Sequence, residues 1–81
     1  MSEGVKMRLT EAKMLSVVRV VKVLANGDLR RRFLDLGIIE GTNIEVLYKG
    51  ALGEPIAYFI RGAIIALRKE DGEKIKVVYN N

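Results

Sequence analysis

Residues 16–37 read SVVRVVKVLANGDLRRRFLDLG, and the change of hydrophobic period inside this stretch decides the fold. Ser16 to Leu24 is dominated by valine, whose β-branched side chain is stiff in a helix and packs well on a pleated surface, so this segment is expected to be a strand. Asn26-Gly27-Asp28 breaks it, and Asp28 is placed to cap a helix over DLRRRFLDL by accepting a backbone N–H that the first turn leaves unpaired. Leu29, Phe33 and Leu36 recur at spacings of four and three and share one helical face, which Leu34 widens. Burying each such side chain stabilises by roughly 1.5–3 kcal/mol. Gly37 falls just past the last periodic residue, where left-handed backbone costs a glycine nothing.

Working outward, Leu9-Thr10-Glu11-Ala12 reads as a single turn capped by Thr10 that tucks Leu9 and Met14 inward. On the other side, Ile44, Val46 and Tyr48 alternate with Glu45, Leu47 and Lys49, the period of a second strand. GALGEP at 50–55 interrupts it. Ile56–Ile60 and Ala63–Arg68 then flank Arg61-Gly62, the pattern of a hairpin. Lys69–Glu73 reads as a short turn, Lys74–Tyr79 as the last strand, and Asn80-Asn81 as a frayed tail. Five short strands and one short inserted helix predict a mainly β protein: a single domain over residues 1–81, core about 9–79, folded as a small closed or nearly closed barrel. Val18, Val20, Ile44, Val46, Ile65, Leu67 and Val77 are expected to fill its interior and leave no room for a substrate.

Composition narrows the chemistry. With 81 residues the chain supplies one core, and with no Cys and no His it lacks thiolate, imidazole and disulfide. Hydrophobic residues make up 49% and charged residues 30%, enough apolar material to fold. The net charge of +4 is uneven: residues 1–34 hold eight basic and three acidic groups, net +5, and residues 35–81 six and seven, net −1. No apolar run approaches the roughly 20 residues that cross a bilayer, and a cytoplasmic location is the expectation. No nucleotide-binding glycine pattern is present, and Ser2, Thr10, Ser16 and Thr42 have no activating neighbour, so an enzyme is not expected and no cofactor is assigned.

Arg30, Arg31 and Arg32 spread three guanidinium groups over the helix surface opposite Leu29 and Phe33. They suit either an acidic partner or a solvated face in which Asp28 pairs with Arg32 and Arg31 with Asp35. Leu52, in the loop Gly50–Pro55, is either an exposed tip that something covers or a side chain folded back under its own loop. Phe33 and Phe59 are expected in the core, and Tyr58 and Phe59 on opposite sides of their strand. Glu70, Asp71 and Glu73 form the densest carboxylate group and read as a solvated turn flanked by Lys69 and Lys74; no metal site is assigned.

The order of motifs is more specific than any one of them. A Leu- and Arg-rich helix runs into Leu36-Gly37-Ile38-Ile39-Glu40-Gly41, then a strand, Leu52-Gly53-Glu54-Pro55-Ile56, Arg61-Gly62 and Ile65-Ala66-Leu67-Arg68-Lys69-Glu70. Over about Leu9 to Val77 the chain resembles the FeoA family, the small cytoplasmic component of bacterial ferrous iron uptake. It departs from the family at Leu15, where Gly is often found, and at Glu40 and Ala51, where Pro is often found. The resemblance implies an SH3-like β-barrel with a helix after the first strand, and a protein partner: the cytosolic GTP-binding domain of a FeoB-type membrane iron transporter, met at its inner face. Similar domains occur in iron-dependent repressors, where they make protein contacts. The residues expected to bind the partner are Arg30, Arg31, Leu52, Gly53, Glu54 and Pro55. Two other readings stand beside this one: a nucleic-acid-binding barrel, from the basic first half, and weak Fe(II) binding through carboxylates. A homo-oligomer stays open.

Overall fold

A computed structural model describes residues 5–80. Its elements are β1 (Met7–Arg8), a 3-10 turn (Leu9–Glu11), β2 (Val17–Val23), α1 (Gly27–Asp35), β3 (Asn43–Lys49), β4 (Ile56–Ile60), β5 (Ala63–Leu67), α2 (Lys69–Gly72) and β6 (Ile75–Tyr79). All strand pairs are antiparallel, and one sheet runs in the order β1-β6-β2-β3-β4-β5. The sequence reading of five strands and one helix is therefore one strand and one single-turn helix short. Both missed elements are too brief to show a period: β1 has two residues and α2 four. Because β1 precedes β2, the helix follows the second strand. The ladder stops short of a closed ring, since among the described residues β5 pairs only with β4.

The sheet curls around a core that includes Leu9, Val18, Val20, Phe33, Ile44, Tyr58, Ile75 and Val77, with Ile65 partly buried against it. The expected interior set is buried apart from that half-exposed Ile65. Register explains where the alternation fails. On β3, Val46 faces Tyr58 but Tyr48 faces Ala57, so Leu47 is an extra residue in a bulge. The bulge turns Tyr48 away from the side of Ile44 and Val46, and it is exposed. On β4 the inward positions are Ile56, Tyr58 and Ile60, so Tyr58 is the core aromatic and Phe59, 43% exposed, is not. The Tyr58 hydroxyl has no hydrogen-bond partner among the described residues, and burial pushes its pKa up from the ordinary 10.0.

The first turn is capped differently from the expectation. Arg8 is its N-cap, and its N–H donates to Glu11 Oε1 at 2.8 Å while its guanidinium meets Oε2 at 3.3 Å. The Arg8 backbone N–H, followed by its side chain, holds the Glu11 carboxyl below the usual carboxylate range. Thr10 is buried instead of capping, Leu9 is buried as expected, and Met14 is exposed. Leu15 has φ +67 and lies 74% exposed, which costs a leucine about 1–2 kcal/mol that glycine would not incur. At the other end Asn80 is not frayed: its N–H donates to Val17 O at 2.9 Å and its side-chain amide to Asn43 Oδ1 at 2.7 Å. Asn81 lies outside the described residues.

Candidate functional site

The helix that carries the arginines is fixed at its end more firmly than at its start. Asn26, at φ −125, is the N-cap and makes no side-chain cap bond, and Asp28 lies inside the first turn, so the expected Asp28 cap is absent. Its carboxylate still sits favourably at the positive end of the helix dipole. At the C-terminus Gly37, φ +82, donates to Leu34 O at 3.0 Å and Ile38 donates to Phe33 O at 2.8 Å, the paired bonds of a Schellman motif. Phe33 and Ile38 are both buried in the core, which pins this end of α1.

The segment 37–42 is then held by Thr42, whose neighbours in sequence do not single it out. Thr42 is buried; its Oγ1 donates to Gly37 O at 2.8 Å and accepts from Ile39 N–H at 3.2 Å. Its backbone and that of Gly41 bond Val20 on β2 at 2.9 and 2.8 Å. Arg61 adds a cover. A Cβ at Gly37 would stand 2.2 Å from Arg61 Cδ and 2.8 Å from Nε, so the arginine stem lies directly on that glycine.

Arg30 and Arg31 are exposed on α1 as expected. Arg32 reaches Asp71 Oδ2 on α2, at 3.8 Å, not Asp28; neither that pair nor Arg31–Asp35 forms. The reason is tertiary: α2 brings a carboxylate to the helix that i, i+4 spacing does not anticipate. The loop Gly50–Pro55 is closed by backbone bonds, Gly50 N–H to Pro55 O and Gly53 N–H to Gly50 O, both 2.9 Å. A Cβ on Gly50 would meet Glu54 O at 2.5 Å, so only glycine permits this closure. Leu52 is 94% exposed, which decides between its two readings in favour of the exposed tip. Glu54 is tied down: its Oε1 accepts from Lys69 N–H at 2.8 Å, satisfying a donor at the start of α2.

The two regions singled out from sequence thus meet a common element. Arg32 of α1 binds Asp71 and Glu54 of the loop binds Lys69, two residues apart on α2. The Lys69–Glu73 segment is a bracket between them, where the sequence suggested only a solvated turn. Concave surface occurs beside α1, in an open groove of about 310 Å³ that includes Arg30, Phe33, Leu34 and Ile39. Among the described residues no group of three or more Asp, Glu, His or Cys side chains is placed to hold a metal ion, and no helix is long and apolar enough to cross a membrane.

A curled antiparallel sheet with one inserted helix, its exposed groups gathered on a helix face and loops, places the chain among small SH3-like domains. A solved structure supports this class: FeoA of Stenotrophomonas maltophilia, complexed with zinc and described as a procaryotic SH3 domain protein, is 27% identical with a TM-score of 0.76 over 91% of this chain and 89% of that one. The profile of the FeoA domain matches residues 7–79, and the chain belongs to the FeoA family, which is associated with ferrous iron transport. The solution structure of an FeoA-like protein from Clostridium acetobutylicum is 32% identical with a TM-score of 0.86, covering 100% of this chain and 92% of that one. A Porphyromonas gingivalis protein, an Fe(2+) transport protein A/Fe(2+) transporter FeoB fusion, is 35% identical over 71 residues, 88% of this chain. The chain spans 8% of the length of that relative.

Proposed function

We propose that this protein is a cytoplasmic accessory factor of ferrous iron uptake that acts by docking on the cytosolic GTP-binding domain of a FeoB-type transporter. The observation that carries the reading is the fusion: in the P. gingivalis relative a segment matching 88% of this chain shares one polypeptide with a FeoB transporter. Covalent linkage raises the effective concentration of two modules that work together, so fusion is what a functional contact between them favours. The structure supports a contact role. A continuous core of buried side chains is present, the groove beside α1 is open to the surface, and Arg30, Arg31 and Leu52 stand exposed on a helix and a hydrogen-bonded loop. An exposed leucine at a loop tip has no packing role in the isolated protein, and guanidinium groups suit an acidic surface.

Isotope-labelled protein titrated with the FeoB GTP-binding domain, with and without guanine nucleotide, is expected to show shifted resonances within residues 28–36 and 50–56. Unchanged spectra in both nucleotide states would reject the reading.

A further inference from the structure

The two residues of the β4–β5 turn, Arg61 and Gly62, have φ +49 and +86, and Ile60 pairs with Ala63 across them. In a two-residue hairpin of this kind the flanking pair exchanges both hydrogen bonds, and bonded and non-bonded pairs then alternate along the strands. Ile60–Ala63, Tyr58–Ile65 and Ile56–Leu67 are thereby the bonded pairs. Ile64 and Ala66 point their N–H and C=O groups away from β4, along the outer edge of the sheet. Among the described residues, no backbone group pairs with that side of β5.

Several features set this edge apart. Residues 63–67 read AIIAL, with neither charge nor proline, although sheet edges ordinarily carry one or the other to block pairing. Ile64 is 67% exposed beside Phe59, its cross-strand neighbour, so the outer face of the edge is apolar. On the inner side an open groove of about 540 Å³ runs between the end of α1 and β5, with Leu34, Leu36, Ile39, Ala63 and Ile65 in its walls. Basic groups stand at the two ends of the strand, Arg61 in the turn and Arg68 and Lys69 after it, all exposed; Asp35 shares the groove with Arg61, Glu70 lies beside Arg68, and the Glu54 carboxylate there is engaged by the Lys69 N–H.

We propose that the free side of β5 takes up an extended segment of a partner protein, apolar at its centre and acidic at its ends, as a seventh strand. This rests on the docking function proposed above and names the chemistry of the contact. Strand addition uses main-chain bonds for affinity and alternate side chains for specificity. The bonds come from Ile64 and Ala66; inward side chains of the added strand enter the groove beside α1; outward ones cover Ile64 and Phe59. A second copy of this chain is disfavoured as the occupant. An antiparallel pairing centred on Ile65 would set Arg61 of one copy opposite Lys69 of the other, and like charges directly opposite destabilise.

The test uses two blocked peptides with the same alternating valine and threonine centre, one flanked by glutamates and one by lysines. With the acidic peptide, hydrogen exchange at the Ile64 and Ala66 amides is expected to slow, and the lysine peptide is expected to leave them unchanged. Ala66→Pro removes an N–H that faces away from β4, so it should weaken binding about tenfold or more while Ile65 stays protected in the hairpin. Ile64→Lys, at an exposed site, should do the same without risk to the fold. Equal binding of both peptides, binding without protection of Ile64 and Ala66, or concentration-dependent protection with no peptide present would each overturn the proposal. The FeoB domain separates the two readings: its undiminished binding to Ile64→Lys would sink the edge as the dock and leave the docking function standing. Its failure to bind the wild type, with peptide binding intact, would sink the function and leave the edge.

Discussion

The two ends of the sheet are finished in opposite ways. At one end β1 is two residues long, carries Arg8, and leads into a turn in which Glu11 accepts the Arg8 N–H at 2.8 Å. That edge is short, charged and capped by its own side chain, which are the usual defences against stray pairing. At the other end β5 has five apolar residues and, among the described residues, leaves the backbone of Ile64 and Ala66 without partners. The contrast teaches that this chain can blunt an edge and does so only at one end. The open edge, beside the groove between α1 and β5, is the surface to which the added strand is assigned above.

The largest test of the contrast is Gly37→Ala. The new Cβ would collide with the Arg61 stem and force alanine to φ +82, at a cost of about 2 kcal/mol. Urea unfolding should show that loss, and native-state hydrogen exchange should speed up around the β4–β5 turn while β1 is unaffected. If the turn amides hold their protection, Arg61 does not anchor the open edge. A smaller effect of the opposite sign is expected at the capped end. Leu15→Gly, between the first turn and β2, should stabilise by about 0.5–1 kcal/mol in thermal unfolding, because it relieves left-handed strain at an exposed site. A loss there would mean that the Leu15 side chain has contacts its exposure does not show.

The smallest effect belongs to Tyr58, whose hydroxyl lies near Gly72 and so links β4 to the α2 bracket. Tyr58→Phe should raise stability at neutral pH slightly, by about 0.5 kcal/mol, because a buried hydroxyl without a partner loses its hydration on folding and gains no bond in return. The pH dependence has a definite sign. The folded-state pKa is raised above the ordinary 10.0, so the wild type holds its stability below that pH and loses it as pH rises above it. Comparing wild type and Tyr58→Phe by chemical denaturation between neutral pH and pH 11 isolates this loss, and parallel curves would contradict it.

Much of this was legible in the residues. The valine run gave β2, the spacing of Leu29, Phe33 and Leu36 with Gly37 gave α1 and its stop, and Arg61-Gly62 gave the hairpin. Arg30, Arg31 and Leu52 are exposed, as a docking role requires. Other features needed partners distant in the chain. Glu54, expected among the partner-binding residues, is exposed and accepts the Lys69 N–H from fifteen positions away through one carboxylate oxygen. Arg32 pairs with Asp71 instead of Asp28, and Thr42 staples a segment that its neighbours in sequence do not single out.

By itself, then, the sequence determined the local grammar of this protein: where the longer strands extend, where the one substantial helix stops, and that no His or Cys is present for chemistry. Hydrophobic period and glycine placement act over a few residues, so they can be read without knowing the rest. Only the tertiary structure decided register and edges: that a bulge at Leu47 turns Tyr48 outward, that Tyr58 and not Phe59 enters the core, and that β5, paired with β4, is the edge strand of the sheet among the described residues. Those outcomes depend on which strands lie side by side, and a shift of one residue in pairing exchanges the buried and exposed faces of a strand.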